Sequence, residues 1–294
     1  MGSFTRRKMI AWQKVLIGVW LISGLLVAEG LLADGEEGYR IGLTPVILTD
    51  QTSFLKRWEA YLAHHLKTPV KFVQRQTYKE VTDLLLDGDL DAAWLCGYPY
   101  VRNREKLKLL GVPLFNGNPF YRSYLIVPSS DTATGDVEDL QRKVFVYSDP
   151  DSNSGYLYPQ VRLLKKGIEP HRFFAKSFFA WSHRDVVKAV SDGIAQGGAV
   201  DGYVWETLSR HDPTLTAGTR VVMKSEQFGF PPLVTRQDIS PALFIALQKA
   251  LLDMSSTAAG RELLDQMNLD GFIEGNDLLY EGIVESVKLL DNGL

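Results

Sequence analysis

The chain has 294 residues, of which 45% are hydrophobic and 23% are charged, and its formal net charge is −3 at pH 7. This composition is ordinary for a folded protein with room for two modest cores, and it excludes a disordered or fibrous chain. The sequence has no basic cluster, so a nucleic-acid partner is not expected. Cys96 is the only cysteine, which excludes an internal disulfide and a Cys-x-x-Cys pair.

Residues 1–30 have the pattern of a secretory signal peptide, since four basic residues precede an uncharged apolar stretch at 15–28 and small residues follow it. That stretch is shorter than the roughly 20 residues that span a bilayer. Removal of residues 1–30 leaves 28 basic and 34 acidic residues, a net charge of −6. The predicted cleavage point has no cysteine for lipid attachment, so we expect the exported protein to be free in its compartment.

Short apolar runs then alternate with helical patterns. The predicted strands are 39–43, 70–73 and 91–95, and the predicted helices are 52–66 and 78–86. This alternation predicts a parallel sheet covered on both faces, with ligands contacted beyond the carboxyl ends of its strands.

The alternation begins again later in the chain. It predicts strands at 143–147, 172–176 and 199–204 and helices at 156–166 and 183–191. Two alternating units in one chain indicate two α/β lobes.

Two segments are long enough to cross between these lobes, residues 120–127 and residues 228–234. Pro231 and Pro232 exclude a strand in the middle of a sheet at the second crossing. Helices predicted at 241–255, 260–267 and 276–290 then pack back on the first lobe. We therefore expect lobe I at 38–125 and 227–294, lobe II at 126–226, and a hinged cleft between them.

The most informative run is 148–157, which follows a predicted strand and opens a helix. Ser152, Asn153 and Ser154 place hydroxyl, amide and unpaired backbone N–H groups at a helix N-terminus, where negative charge is favoured. The same residue types also form an ordinary helix cap, with Gly155 loosening the turn.

Other candidate ligand contacts stand at strand ends and helix starts. Cys96 and Tyr98 follow a buried strand, where Tyr98 can donate its phenol hydrogen; the alternative is that both fill the core. His183 follows Ser182 at a helix start, and its imidazole N–H can reach an anion on the Ser152 turn or remain solvated. Thr49 and Asp50 precede the first helix at the same predicted sheet edge.

Asp201 and Glu206 lie just beyond a predicted strand end. A carboxylate there can accept from a protonated ligand oxygen or a ligand ammonium group, or it can be an ordinary surface carboxylate.

We find no motif of a common enzyme class in the sequence. The sequence lacks a Gly-x-Ser-x-Gly elbow, a His-Glu-x-x-His helix, a P-loop and a Gly-x-Gly-x-x-Gly turn. His64 and His65 are adjacent, so on a helix they point in different directions and suit a metal poorly. We expect no enzyme activity, no metal and no cofactor.

The chain resembles the periplasmic substrate-binding proteins of phosphate, phosphite and phosphonate ABC transporters. The resemblance spans essentially the whole mature chain, and its motifs are at 91–95, 97–101, 149–157, 167–170, 173–174, 182–183 and 198–201. It implies an α/β periplasmic-binding-protein fold of type II, in which two lobes, each a mixed sheet flanked by helices, are joined by two crossing hinge strands. It also implies a monomer in the periplasm that captures a small oxyanion for a permease.

Carried over from that family, the ligand contacts are Ser152, Asn153, Ser154, His183 and Tyr98. The family's phosphonate binders have Ser-Thr-Ser at the turn, and Asn153 stands here in place of the threonine, which leaves the identity of the oxyanion open. Glu206 or Asp201 would tune the preference for a protonated ligand.

Two alternatives stay open. Some proteins that look like this chain bind arsenite through a pocket cysteine and signal to a sensor kinase, which would make Cys96 the key ligand residue of a periplasmic sensor adaptor. Thiolate chemistry suits trivalent arsenic better than phosphorus oxyanions. The other alternative is an enzyme on the same two-lobe scaffold, which product formation from an organophosphonate would reveal.

Overall fold

A computed structural model describes residues 38–45 and 52–293. The predicted signal peptide at 1–30 lies outside the described residues, and so do Thr49 and Asp50. From Tyr39 onward the described residues form one compact unit. None of their helices is both long enough and apolar enough to cross a bilayer.

The described residues form thirteen strands. They are β1 Tyr39–Leu43, β2 Val70–Gln74, β3 Ala92–Trp94, β4 Leu107–Leu114, β5 Phe120–Tyr121, β6 Ser123–Pro128, β7 Val144–Tyr147, β8 Lys176–Phe179, β9 Gly197–Asp201, β10 Thr219–Lys224, β11 Phe228–Gly229, β12 Leu233–Arg236 and β13 Gly271–Ile273.

The same part of the chain forms eleven α-helices. They are α1 Thr52–Leu66, α2 Tyr78–Asp87, α3 Gly97–Asn103, α4 Tyr158–Leu164, α5 Pro170–Phe173, α6 His183–Ser191, α7 Gly202–His211, α8 Pro213–Ala217, α9 Pro241–Leu252, α10 Ala258–Met267 and α11 Glu281–Gly293. A wider helical turn, Asn153–Leu157, leads directly into α4.

Two sheets organise the two lobes. The first has the order β13-β4-β12-β3-β1-β2, and the second has the order β10-β6-β9-β7-β8. In the first, β1 pairs in parallel with β2 and β3, while β12 lies antiparallel between β3 and β4. In the second, β7 is parallel to β8 and β9, while β6 is antiparallel to β9 and β10. Both sheets are therefore mixed, as the resemblance implies, and the strands that the alternation predicts in the first lobe, β1, β2 and β3, are parallel to one another.

The chain crosses between the sheets twice, as predicted. The first crossing contains β5 and the second contains β11, and these two strands pair antiparallel as a ribbon of their own. After the second crossing, α9 and α10 pack on α1, while α11 contacts both α3 and α4. The C-terminal helix α11 therefore lies against both lobes. The exact lobe boundaries at 125/126 and 226/227 stay predictions.

Three local predictions are wrong. The strand predicted at 172–176 begins only at Lys176, because Pro170 starts the short helix α5, where its fixed φ and missing N–H are tolerated. The strand predicted at 199–204 ends at Asp201, because the Asp201 carboxylate caps a new helix from Gly202. The exclusion of a mid-sheet strand at 228–234 is also wrong, because β12 begins at Leu233, directly after the two prolines, and lies between β3 and β4. Strands β4, β10 and β13 are not predicted, since their partners are antiparallel and distant in sequence.

The core of the first lobe centres on Trp58 of α1. This fully buried indole packs with ring centroids 4.6 Å from Phe72, 5.9 Å from Trp94 and 6.0 Å from Phe54. It therefore joins α1 to two strands of the sheet.

Replacing Trp58 with alanine is expected to lower the free energy of unfolding by about 3–5 kcal/mol, because a large aromatic side chain is lost from a packed core. Trp58→Phe keeps a ring in the same place and is expected to lose much less. Urea denaturation of the mature chain measures both. Equal losses from the two variants would show that ring packing at this position does not stabilise the lobe.

Candidate functional site

The candidate site is built on residues 152–155, which we call the serine turn. Strand β7 ends at Tyr147, and the chain then reaches Ser152, whose hydroxyl accepts from the Gly155 N–H at 3.0 Å and caps the following helix. Ser152, Asn153 and Ser154 are all buried. The turn is thus an ordered helix start inside the molecule, not a solvated surface cap.

Gly155 is required by close packing. A Cβ at this position would lie 1.9 Å from the Ser148 Oγ and 3.1 Å from the His183 Cε1. Only a residue without a side chain lets the turn approach both groups. Gly155 therefore brings Ser148 and His183 against the turn, instead of loosening it.

Contacts from the other lobe and from the hinge hold the turn. The Asn153 N–H donates to the Cys96 Sγ at 3.3 Å, and the Asn153 amide donates through Nδ2 to the Tyr121 Oη at 2.9 Å. The Ser123 hydroxyl donates to the Ser154 carbonyl at 2.6 Å. Cys96 precedes α3 of the first lobe, and Tyr121 and Ser123 belong to the first crossing. The turn is therefore at the junction of both lobes.

His183 is fully buried at the start of α6, which the Ser182 hydroxyl caps by accepting from the Asp185 N–H. Burial lowers the pKa of His183 to about 3, so the ring is neutral at physiological pH. Its Nδ1 accepts from the Asp201 N–H at 3.1 Å. This contact assigns the proton to Nε2, which is then a neutral hydrogen-bond donor.

Asp201 ends β9 and caps α7. One carboxylate oxygen, Oδ1, accepts from the N–H groups of Tyr203 at 2.8 Å and Val204 at 3.4 Å. Burial is the main reason that its pKa is raised to about 7; the two N–H groups act to lower the pKa, and the negative charge of Glu206 acts to raise it. Strand β9, which Asp201 ends, packs on the serine turn. A ligand contact by Asp201 stays a prediction.

Asp149 also joins the two lobes. Its Oδ2 accepts from the Tyr78 N–H, at 3.1 Å, at the start of α2 in the first lobe, and its Oδ1 accepts from the Asp151 N–H at 2.8 Å. The carboxylate is buried, which raises its pKa. Asp149 lies in the informative run 148–157, but the sequence assigns it no role, because a carboxylate that faces a helix start in the other lobe has no local sequence signal.

Cys96 is buried and stays a thiol. Burial raises its pKa to about 12, and the negative charges of Asp201 and Asp149 act in the same direction, although the N–H groups of Asn153 and Tyr98 oppose them. The Sγ lies directly on the serine turn, as the Asn153 contact shows. Cys96 is thus a neutral sulfur at the junction of the lobes.

Tyr98 lies on α3, and its Oη accepts from the Arg102 guanidinium at 3.2 Å. Arg102 in turn donates to both oxygens of Asp291 on α11, at 2.8 and 2.6 Å. The phenol hydrogen of Tyr98 therefore stays available for donation.

Glu206 is not among the groups on the serine turn. It accepts from the Tyr124 hydroxyl and lies 3.8 Å from the Lys224 ammonium. It lines a cavity of about 140 Å³ beside the first crossing, and no residue of the serine turn lines that cavity.

Four buried polar atoms around the serine turn have no hydrogen-bond partner among the described residues. They are the Ser148 Oγ, the Asn153 Oδ1, the Ser154 Oγ and the Tyr78 Oη. Such groups are costly when unpaired, so their presence together indicates a place for a polar ligand. Ser148 lies in the informative run 148–157 without an assigned role, and Tyr78 is not among the predicted contacts. The signals that point to them are a hydroxyl directly after a buried strand and a hydroxyl at a helix start.

No metal site accompanies these groups. Within residues 38–45 and 52–293, no group of three or more His, Cys, Asp and Glu side chains is placed to hold a metal ion. Neither Asp149 nor Asp201 forms an ion pair with a described residue.

Comparison with known proteins places these features in a family. The model of a family described as the periplasmic substrate-binding protein of a phosphonate ABC transporter matches residues 41–280. A phosphate-import protein of Mycolicibacterium smegmatis is 25% identical over 219 residues, which are 70% of this chain and 66% of that protein. This chain therefore spans just under two thirds of that relative's length.

Two solved structures share the fold. One is the Prochlorococcus marinus protein PhnD1 in complex with methylphosphonate, with a TM-score of 0.77, 20% identity, and coverage of 86% of this chain and 98% of that one. The other is a binding-protein component of a Pseudomonas aeruginosa ABC phosphonate transporter, with a TM-score of 0.78, 20% identity, and coverage of 87% and 88%. The predicted two-lobed α/β fold of the periplasmic-binding type is confirmed.

Replacing Gly155 with alanine is expected to lower the free energy of unfolding by about 1–3 kcal/mol, because the new methyl group overlaps Ser148 and presses on His183. Gly135→Ala is the matched control, since its nearest neighbour would be the Asp139 Oδ2 at 3.8 Å. Thermal and urea denaturation compare the two. A Gly155→Ala variant as stable as Gly135→Ala would contradict the close packing of the turn.

Proposed function

Since this chain belongs to the family of periplasmic substrate-binding proteins of phosphonate ABC transporters, we propose that it captures a small oxyanion at the serine turn and delivers it to a permease. The ligand class is a phosphonate, phosphite or phosphate-like anion. The observation that carries the proposal is the group of four unpartnered polar atoms buried around the turn. A small oxyacid would satisfy several of them at once.

The donors for this ligand are neutral groups. They comprise the Nε2 of His183, the hydroxyls of Ser148 and Ser154, and the backbone N–H groups of the helix start other than those of Asn153 and Gly155, which already donate to Cys96 and Ser152. The mature chain has a net charge of −6, so the anion is not drawn in by the overall field and must be held by local hydrogen bonds. Oriented N–H groups at a helix start can hold an anion by such hydrogen bonds without a cation.

The required affinity is within reach of such groups. Micromolar binding corresponds to about 8 kcal/mol. A hydrogen bond to a charged group contributes about 1.5–3 kcal/mol, so a few of them, together with closure of the lobes, are sufficient.

The names of two similar proteins support phosphorus oxyanions. The Mycolicibacterium protein is named for phosphate import, and the Prochlorococcus structure contains methylphosphonate. Tyr98, Thr49 and Asp50 complete the proposed site from the first lobe. Thr49 and Asp50 lie outside the described residues and are included in the proposed site because of their sequence positions alone.

The family and the sequence of residues 1–30 support the proposed location, oligomeric state and partner of the protein. We place the protein in the periplasm, exported by the signal peptide at 1–30, as a monomer that docks on an ABC permease. It releases its ligand unchanged, with no cofactor and no catalytic step.

A second candidate function is a sensor adaptor that binds arsenite and docks on a histidine kinase. The observation that favours it is the position of Cys96, whose Sγ lies 3.3 Å from the Asn153 nitrogen on the serine turn. A sulfur ligand there suits trivalent arsenic. Its raised pKa means that the free thiol, not the thiolate, is the resting form.

Calorimetric titration of the mature protein with phosphite, methylphosphonate, aminoethylphosphonate, phosphate, sulfate and arsenite tests the proposed function. Ser154→Ala is expected to weaken binding of the preferred anion roughly 10- to 150-fold, because one hydrogen bond to a charged ligand is lost. Ser177→Ala removes an exposed hydroxyl of the same lobe and is expected to bind as the unchanged protein does. No binding of any of these anions would overturn the proposal.

Replacing Cys96 with serine separates the two candidates. Arsenite binding is expected to disappear in this variant, because the sulfur is its ligand, whereas binding of a phosphonate or phosphite is expected to change little. The same titrations measure both. A large loss of phosphonate affinity with no arsenite binding in the unchanged protein would contradict the sensor function.

A further inference from the structure

Helix α7 of the second lobe reaches across to the first lobe. Its positions 203, 207 and 210 are spaced i, i+4 and i+7, so their side chains share one face of the helix. This face meets the end of α10, which packs on α1 of the first lobe. The Tyr203 hydroxyl donates to the Met267 carbonyl at 2.6 Å, and the Arg210 Nη2 donates to the Asp265 Oδ1 at 2.8 Å. Side-chain hydrogen bonds therefore join the two lobes away from the serine turn.

Asn268 is the centre of these contacts. It ends α10 with φ 56°, in the left-handed conformation that glycine and asparagine adopt most readily. Its Nδ2 donates to the Thr207 Oγ1 at 3.0 Å, and its Oδ1 accepts from the Arg210 Nη1 at 2.8 Å. Because a guanidinium group has only donors, the amide oxygen must face Arg210, which fixes the orientation of the amide. Both ends of the Asn268 amide thus bind α7.

Helix α7 is also fixed to the candidate site. The N–H of its cap residue Asp201 donates to the His183 Nδ1 at 3.1 Å. The His183 ring in turn packs on Gly155 of the serine turn. A movement of α7 relative to α10 therefore moves His183 relative to the first lobe, and the two Asn268 bonds resist that movement.

We propose that Asn268 is an interlobe clasp, a positioning residue that holds the cleft closed over the bound oxyanion and so sets the rate of its release. This inference rests on the proposed function and deepens it, because it names a residue that regulates the same site. Asn268 acts through α7 and not by contact with the ligand.

The direction of α7 makes Asn268 suited to this role. The Tyr203 ring lies with its centroid 5.0 Å from that of Phe230, in the second crossing, whereas Arg210 is about 10 Å further along the helix axis. When two lobes turn about a hinge, groups far from the hinge separate more than groups beside it. The bonds of Thr207 and Arg210 to Asn268 are therefore lost on opening before the Tyr203 contact is.

Contacts made only in the closed form change the kinetics of binding in a defined way. They raise the affinity by favouring the form that holds the ligand. The ligand enters the open form, in which these bonds are absent, so their loss speeds release and leaves association almost unchanged.

Asn268→Gly is the direct test, because glycine keeps the left-handed end of α10 while both side-chain bonds are lost. Stopped-flow fluorescence of the mature protein with methylphosphonate, phosphite and phosphate measures the association and release rates. We expect release to become about 3- to 30-fold faster, as the loss of one neutral and one partly exposed charged hydrogen bond implies. Association is expected to change by less than about twofold.

Lys67→Gly is the matched control. Lys67 follows α1 with φ 55°, and its side chain is exposed. The substitution thus places glycine at another left-handed helix end of the first lobe without removing a contact to α7. Both rates are expected to match those of the unchanged protein.

Thr207→Val shows whether the bond to α7 carries the effect, because it removes the acceptor and keeps the shape of the side chain. Alone it is expected to speed release, whereas in the Asn268→Gly background it is expected to add little. Fully additive effects of the two substitutions would contradict a shared bond.

The outcomes separate the clasp from the proposed function. Unchanged release in Asn268→Gly, or slower association without faster release, would overturn the clasp and leave the proposed function standing. An equal increase in Lys67→Gly would assign the effect to backbone freedom and would also overturn it. If none of the three anions binds the unchanged protein, the proposed function fails and this inference fails with it.

Discussion

The structure depends on the contact between the serine turn and the first lobe, in which the Asn153 N–H donates to the Cys96 Sγ. This bond joins a helix start of one lobe to the loop before a helix of the other. Asp149 makes a second such contact by accepting from the Tyr78 N–H. Because both contacts use backbone N–H groups at helix starts, the lobes meet where each is best able to bind negative charge.

The polar groups at this junction of the lobes are neutral hydrogen-bond donors and buried carboxylates. His183 is neutral because burial lowers its pKa, and Cys96 is a thiol because burial raises its pKa. A permanent cation would bind any anion of suitable size, whereas hydrogen bonds with fixed donors and acceptors distinguish ligands by where their hydrogens are. Neutral donors with fixed directions therefore suit the capture of an oxyanion by hydrogen bonds.

Much of the fold was predictable because local patterns agree with it. Strand β1 and helices α1 and α6 have the predicted bounds, since alternation, helical spacing and the Ser182 cap are local signals. The strands that were missed, such as β12, are defined by antiparallel partners more than a hundred residues away. The short helix α5 replaced a predicted strand because proline at its start favours a helix over a strand.

The sequence by itself determined the family, the two-lobed α/β architecture and the hydroxyl-rich helix start at Ser152. These are properties of residue type and spacing. Only the tertiary structure decided that Ser148, Tyr78, Tyr121 and Asp149 meet this turn and that Glu206 binds Tyr124 elsewhere. Packing between segments that are distant in the chain decides which polar groups are buried and which buried groups stay unpaired. Burial, not residue type, then sets the charge of His183, Cys96 and Asp201.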